Sequence, residues 1–253
     1  MLLVVDIGNT NIAAGLYEGE RLVDSWRLSS RRDTTADESV VILRSLLGDA
    51  AGRVRGGIVG SVVPQLTRQI LDAVQRVAGI AALEVAPGIR TGLKIRTDIP
   101  QEVGADRIVN AVAAHHRHGG PAVVVDLGTA TTLDVVTADC DYLGGIICPG
   151  PQLGAEALAL RTARLPRVDL TLPPRVIGRN TMDSVRSGLM YGHAAMVDGL
   201  VERIEKELGQ PAKVILTGGL AGTIAPQLRH AHAIEPDLTL EGLRLIYTRN
   251  APR

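Results

Sequence analysis

Phenylalanine is absent from the 253-residue chain, and aromatic residues make up only 2% of it, as Trp26 and four tyrosines. So sparse a set leaves little from which to build a base-stacking platform, which argues against single-stranded nucleic acid as a partner. A surplus of one charge is also missing. Lysine plus arginine total 27, aspartate plus glutamate total 27, and the formal net charge is +0. Neither a polyanion nor an anionic membrane is favoured electrostatically. Lysine itself is scarce: Lys94, Lys206 and Lys213 leave 27 − 3 = 24 arginines. Cysteine is confined to Cys140 and Cys148, whose spacing is neither CxxC nor a secreted disulfide framework. No run approaches the roughly 20 apolar residues of a membrane span. Residues 1–6 have no basic start and no long apolar stretch, so they do not read as a signal peptide. A cytoplasmic protein in a reducing compartment is expected, with no nucleic-acid or membrane partner.

What is present suits a buried core: 45% of the residues are hydrophobic. Residues 2–6, 12–17 and 21–28 read as a three-stranded meander with turns at Gly8 and Gly19. Thr35 and Glu38 form a capping box ahead of a helix that stops at Gly48. The spacing predicts strands at 57–63 and 83–85, helices at 66–77 and 103–118, and a loop over 87–100. The pattern then restarts. Val4-Val5-Asp6-Ile7-Gly8 and Val124-Val125-Asp126-Leu127-Gly128 align at an offset of 126 − 6 = 120. An internal repeat near half the chain length predicts two similar lobes, 1–117 and 118–253, with a ligand cleft between them. Further helices are predicted over 152–160 and 181–208, and a strand over 214–217 that runs into Gly218-Gly219. Gly188, Gly192, Ala195 and Gly199 form a small-residue stripe on the long helix. It suits close packing inside the domain or a subunit contact.

Three turns carry the chemistry. In Asp6-Ile7-Gly8-Asn9-Thr10-Asn11, Gly8 lets the backbone bend close to a ligand. Thr10, Asn11 and the turn N–H groups can donate to phosphate oxygens, and Asp6 can hold a divalent cation through water. Residues 126–132, Asp126-Leu127-Gly128-Thr129-Ala130-Thr131-Thr132, repeat the device. Gly218-Gly219 would let a purine lie against backbone. GxxxxGK[ST] and GxGxxG are both missing. At the start of the 103–118 helix, Gly104-Ala105-Asp106-Arg107 places a carboxylate where it can accept a proton from an attacking hydroxyl. The same Asp could instead only stabilise the helix dipole. His115, His116 and His118 sit near a helix end and suit that position better than a zinc site.

The three turns in this order resemble the actin-like ATPase superfamily. Adding Gly104-Ala105-Asp106-Arg107, Gly144-Gly145, Pro149-Gly150, Gly178-x-Asn180-Thr181, Ser187-Gly188 and Thr217-Gly218-Gly219-Leu220, the chain resembles type III pantothenate kinases over nearly its whole length. The resemblance implies an α/β protein of two actin-like (ribonuclease H-like) lobes. Each would be a mixed five-stranded sheet flanked by helices, with the active site in the cleft. It implies ATP-dependent phosphorylation of pantothenate in coenzyme A biosynthesis by a homodimer, using Mg²⁺ and a monovalent cation, K⁺ or NH₄⁺.

Carried over by motif, Asp6, Ile7, Gly8, Asn9, Thr10, Asn11, Ile12 and Ala13 would be the first phosphate segment. Thr129, Gly218 and Gly219 would be further ATP contacts. Asp106 would accept the proton. Gly104, Ala105, Asp106, Arg107 and Thr181 would touch pantothenate, Thr181 from a partner-facing side. Asp126 would hold the monovalent cation. One run departs from the family: Thr97-Asp98-Ile99-Pro100 stands where many members have Tyr-Asp-Asn-Pro. Two rival readings are a non-catalytic relative acting as a transcription accessory factor, and an actin-like phosphotransferase with another substrate.

Overall fold

A computed structural model describes residues 1–230 and 232–251. They fall into two compact units, one of residues 1–116 with 237–251 and one of residues 117–230 with 232–236. In the first, β1 (Leu2–Ile7), β2 (Asn11–Glu18) and β3 (Arg21–Ser29) form the expected meander, followed by α1 (Ala36–Leu47), β4 (Gly56–Ser61) and α2 (Pro64–Ala78). Two-residue strands β5 (Leu83–Glu84) and β6 (Lys94–Ile95) precede α3 (Ala105–His118); β6 interrupts the segment expected to be all loop. The sheet order is β3-β2-β1-β4-β5. β1 runs antiparallel to β2 and parallel to β4. Its alternation puts Leu3, Val5 and Ile7 into a core with Leu43, Leu66 and Val74 of the two helices.

The second unit repeats this plan with β7 (Ala122–Leu127), β8 (Ala130–Val136), β9 (Asp141–Pro149), α4 (Pro151–Arg161), α5 (Thr181–Leu208), β10 (Lys213–Thr217), α6 (Ala221–Ile224) and β11 (His232–Ile234). Within it the strands run β11-β10-β7-β8-β9. β7 is antiparallel to β8 and parallel to β10, as β1 is to β2 and β4. The turn after the aspartate differs: Ile7 pairs with Ile12, whereas Leu127 pairs with Thr131, so the second turn is one residue shorter. Val123, Val125 and Leu127 pack on Met190, Ala194, Val197 and Val201 of α5.

The expected lobe 118–253 is corrected at its end. The last helix, α7 (Leu238–Asn250), belongs to the first unit. Leu240 and Leu243 lie where a Cβ at Gly15 or Gly60 would be 3.1 Å away, so glycines in β2 and β4 admit the helix. Buried Arg244 bonds Glu241 through Nη2 at 2.7 Å and Nε at 3.0 Å, with its guanidinium 5.9 Å from the Tyr17 ring centre. The repeat marks where each lobe starts; it holds no information about which lobe a closing helix covers.

Candidate active site

In the first unit, parallel pairing sets Asp6 beside Gly60 and Ile7 beside Ser61. Beyond Ile7 the chain turns tightly: the Gly8 N–H donates to the Asn11 carbonyl at 2.9 Å. Asn9, Thr10 and Asn11 are exposed, while Ile7 and Ile12 are buried and anchor the loop at both ends. Ser30 fastens it from the end of β3. Its hydroxyl donates to the Gly8 carbonyl at 2.6 Å and its N–H to the Thr10 carbonyl at 2.9 Å. The loop is thus held by backbone and by a neighbour, leaving its polar tip toward solvent, as an anion-binding turn requires.

The start of α3 lies next to this loop through β4. The Val62 N–H donates to the Ile7 carbonyl at 3.0 Å. A Cβ at Gly104 would stand 3.7 Å from the Val62 side chain and 2.5 Å from Asp106 Oδ1. Glycine at 104 therefore makes room for the Asp106 carboxylate to fold back over the helix start, where Oδ1 accepts from the Arg107 N–H at 2.8 Å. The positive end of the helix dipole attracts a carboxylate placed there. A cavity of about 510 Å³ adjoins this corner, lined by Ser61, Val62, Ile89, Leu93, Gly104 and Ala105 among others. That volume suits a small polar metabolite.

In the second unit, Asp126, the last residue but one of β7, pairs with Thr217 of β10. Gly218 has φ +91°, and a Cβ there would overlap Asp126 Oδ1 and sit 2.7 Å from the Leu127 nitrogen. Both the backbone and the space demand glycine. The Leu220 N–H donates to the Leu127 carbonyl at 3.2 Å, Gly128 N–H to Ala130 O at 3.1 Å, and Gly150 N–H to Thr129 O at 3.0 Å. Asp126, Gly128, Thr129, Gly150 and Gly218 therefore form one connected corner. A cavity of about 590 Å³ lies near it, lined by Gln152, Leu160, Arg167, Val168, Leu170 and Leu220 among others. The Asp126 carboxylate sits in a cradle that any side chain at 218 would fill. An all-oxygen donor there fits a hard or ammonium-like cation.

Thr181 opens α5 and is exposed. The motif around it builds the helix start. Asn180 Oδ1 accepts from the Asp183 N–H at 2.8 Å, and a Cβ at Gly178 would lie 2.7 Å from the Ser184 Cα. His118 Nε2 lies 2.9 Å from Glu235 Oε1, and the described residues contain no group of three or more His, Cys, Asp or Glu placed to hold a metal. Sequence reasoning missed Ser30, whose contact depends on the β2–β3 hairpin returning it to a loop 22 residues away.

A family model described as type III pantothenate kinase matches residues 2–203. The chain is 47% identical to the type III pantothenate kinase of Moorella thermoacetica over 253 residues, covering 99% of this chain and 100% of that one. It is equally identical to that of Myxococcus xanthus, with 99% of each chain covered. Among solved structures, a ROK hexokinase from Thermus thermophilus superposes with a TM-score of 0.55 at 15% identity, over 98% of both chains. A conserved Campylobacter jejuni protein, provisionally named as a Baf family transcriptional activator, does so at 0.64 and 20% identity, again over 98% of both. At these identities the likeness shows the actin-like fold alone.

Proposed function

Because the chain belongs to the type III pantothenate kinase family, we propose a division of labour between its two units in moving the γ-phosphoryl group of ATP to pantothenate. The reaction itself, the ATP-dependent phosphorylation of pantothenate in coenzyme A biosynthesis, is the one the family carries out. The substrate hydroxyl oxygen forms a bond to the γ-phosphorus while the bond from that phosphorus to the bridging oxygen of ADP breaks. Asp106 takes the hydroxyl proton. The carrying observation is its carboxylate at the start of α3, in the space Gly104 leaves, next in sequence to Gly104 and Ala105, which line the 510 Å³ cavity.

Gly104, Ala105 and Arg107 line the pantothenate end, with Arg107 donating to it. Residues 6–13 and the turn at 126–130 present N–H groups to the phosphates, with the hydroxyls of Thr10 and Thr129, Gly218-Gly219 admits the nucleoside, and Asp6 and Asp126 serve the cations. Mg²⁺ accompanies ATP and would meet Asp6 through water; K⁺ or NH₄⁺ would be held by Asp126. Bound cations offset phosphate charge, a task for which the chain keeps few lysines. The enzyme acts in the cytoplasm, where ATP is available, and as a homodimer in which the exposed Thr181 serves the partner's pantothenate.

The test is pantothenate-dependent ADP release with Mg²⁺, with and without K⁺ or NH₄⁺. Asp106→Asn is expected to lower kcat by about 10²–10⁴-fold with its melting temperature unchanged. Turnover within a few-fold of the parent would remove Asp106 from its role.

A further inference from the structure

The interface between α5 and the second sheet is apolar along most of its length, with Leu133 and Val135 of β8 against Met190, Ala194 and Val197. At the end nearest the β7–β8 turn a polar pair replaces it. His193 Nε2 lies 2.9 Å from the hydroxyl of Thr131. Both residues are buried, His193 at 8% exposure and Thr131 at 0%. The pair is absent from the motifs read in the sequence: Thr131 alternates in phase with Leu133 and Val135, and His193 sits one residue before Ala194 on the core face of α5.

A hydroxyl and an imidazole taken out of water cost free energy unless they bond each other, so this pair accepts few alternative geometries. Its other end is the turn. Thr131 pairs with Leu127 across the ladder, and Thr129, two residues earlier, is tied to Gly150. The turn that carries Asp126, Gly128 and Thr129 is therefore fixed from three sides: by the ladder, by Gly150 and by His193 through Thr131. On the opposite face of β8, Thr132 and the Tyr142 hydroxyl both donate to Asp134, at 3.0 and 2.6 Å. That network leaves the α5 side to His193.

We infer that His193 is a positioning residue for nucleotide phosphate binding: through Thr131 it sets the orientation of the donors in the β7–β8 turn. The inference rests on reading that turn as a phosphate loop. It assigns His193 an effect on the nucleotide and none on the second substrate, because pantothenate is attributed to the α3 corner of the first unit.

The experiment compares His193→Leu, which keeps bulk but removes the bond, and His193→Gln, which keeps a polar group of similar reach, with Thr131→Val and the rescue variant Thr131→Ser. Steady-state kinetics vary ATP and pantothenate separately, and circular dichroism follows folding. His193→Leu and Thr131→Val are expected to raise KM for ATP about tenfold, leaving KM for pantothenate within twofold. His193→Gln and Thr131→Ser should stay within about threefold of the parent, and the double variant His193→Leu/Thr131→Val should be no worse than either single one. If His193→Leu fails to fold, Thr131→Val and Thr131→Ser decide. An unchanged KM for ATP, or equal losses for both substrates that track the folded fraction, overturns the inference. Thr129→Val serves as the control on the loop itself. If it raises KM for ATP while His193→Leu does not, the phosphate-loop reading survives and the role of His193 falls. If neither moves it, both fall.

Discussion

Single residues at the two corners act by leaving space as much as by supplying groups. Gly218 is the sharpest case, since its φ of +91° and its contact with Asp126 both exclude a side chain. Gly218→Ala should cost about 1–3 kcal/mol of stability and displace the Asp126 carboxylate. Urea denaturation and KM for ATP measure the two effects; a variant with parental values for both would show the cradle to be dispensable. A different logic governs Asp198, 2% exposed on α5. Burial pushes its carboxyl pKa up, but the bonds from His230 Nδ1 at 2.9 Å and from the Arg229 and His230 N–H groups outweigh burial and hold it below the ordinary value. With the folded-state value depressed, the unfolded chain takes up the proton first as pH falls. The stabilisation is present above the ordinary aspartate range near pH 4 and is lost as pH drops through the folded value. Asp198→Asn should lower stability at neutral pH and flatten this acid limb in a pH series of denaturation midpoints. A limb as steep as the parent's would assign the acid loss to other carboxylates.

At the scale of elements, α1 carries a complete capping box. Thr35 Oγ1 accepts from the Glu38 N–H at 3.2 Å, and Glu38 Oε2 accepts from the Thr35 N–H at 2.7 Å. Thr35→Ala should cost about 1 kcal/mol, read as a shift in denaturation midpoint without a change in slope. This helix, α5 from Thr181 to Leu208, and the strand–turn–strand repeats were legible because their signals are local: a cap, a period, an Asp-x-Gly after an apolar run. The placement of α7 was not, because an amphipathic helix does not encode which sheet it covers. Ser30 and His193 were equally silent. Each acts across a packing contact 22 or 62 residues from its partner, and a serine at a strand end or a histidine in a helix carries no pattern of its own. The small-residue stripe on α5 was legible as a pattern but open as to use. A Cβ at Gly188 or Gly192 would meet nothing within 4 Å, so these glycines are not spent on close packing inside the chain.

For the whole molecule, that open stripe bears on the proposed dimer. The second unit also exposes large apolar side chains: Ile147 on β9 at 63%, Leu160 on α4 at 71%, and Val176 and Ile177 before α5 at 63% and 82%. Ile177 stands three residues ahead of the Asn180 cap, so the apolar segment and the Thr181 helix start belong to one surface feature. A chain of net charge +0 offers no long-range repulsion to a second copy, and a specific dimer typically needs about 1,200–2,000 Å² of buried surface. Light scattering after gel filtration should therefore return twice the 26.7 kDa chain mass. Ile177→Glu should shift the protein toward monomer at micromolar concentration, since a buried carboxylate without a partner is costly, while leaving its circular dichroism unchanged. If Thr181 serves the partner's substrate, the monomeric variant should also lose pantothenate affinity more than ATP affinity. A parent protein that is monomeric at that concentration and fully active would refute the dimer and return Thr181 to its structural part at the start of α5.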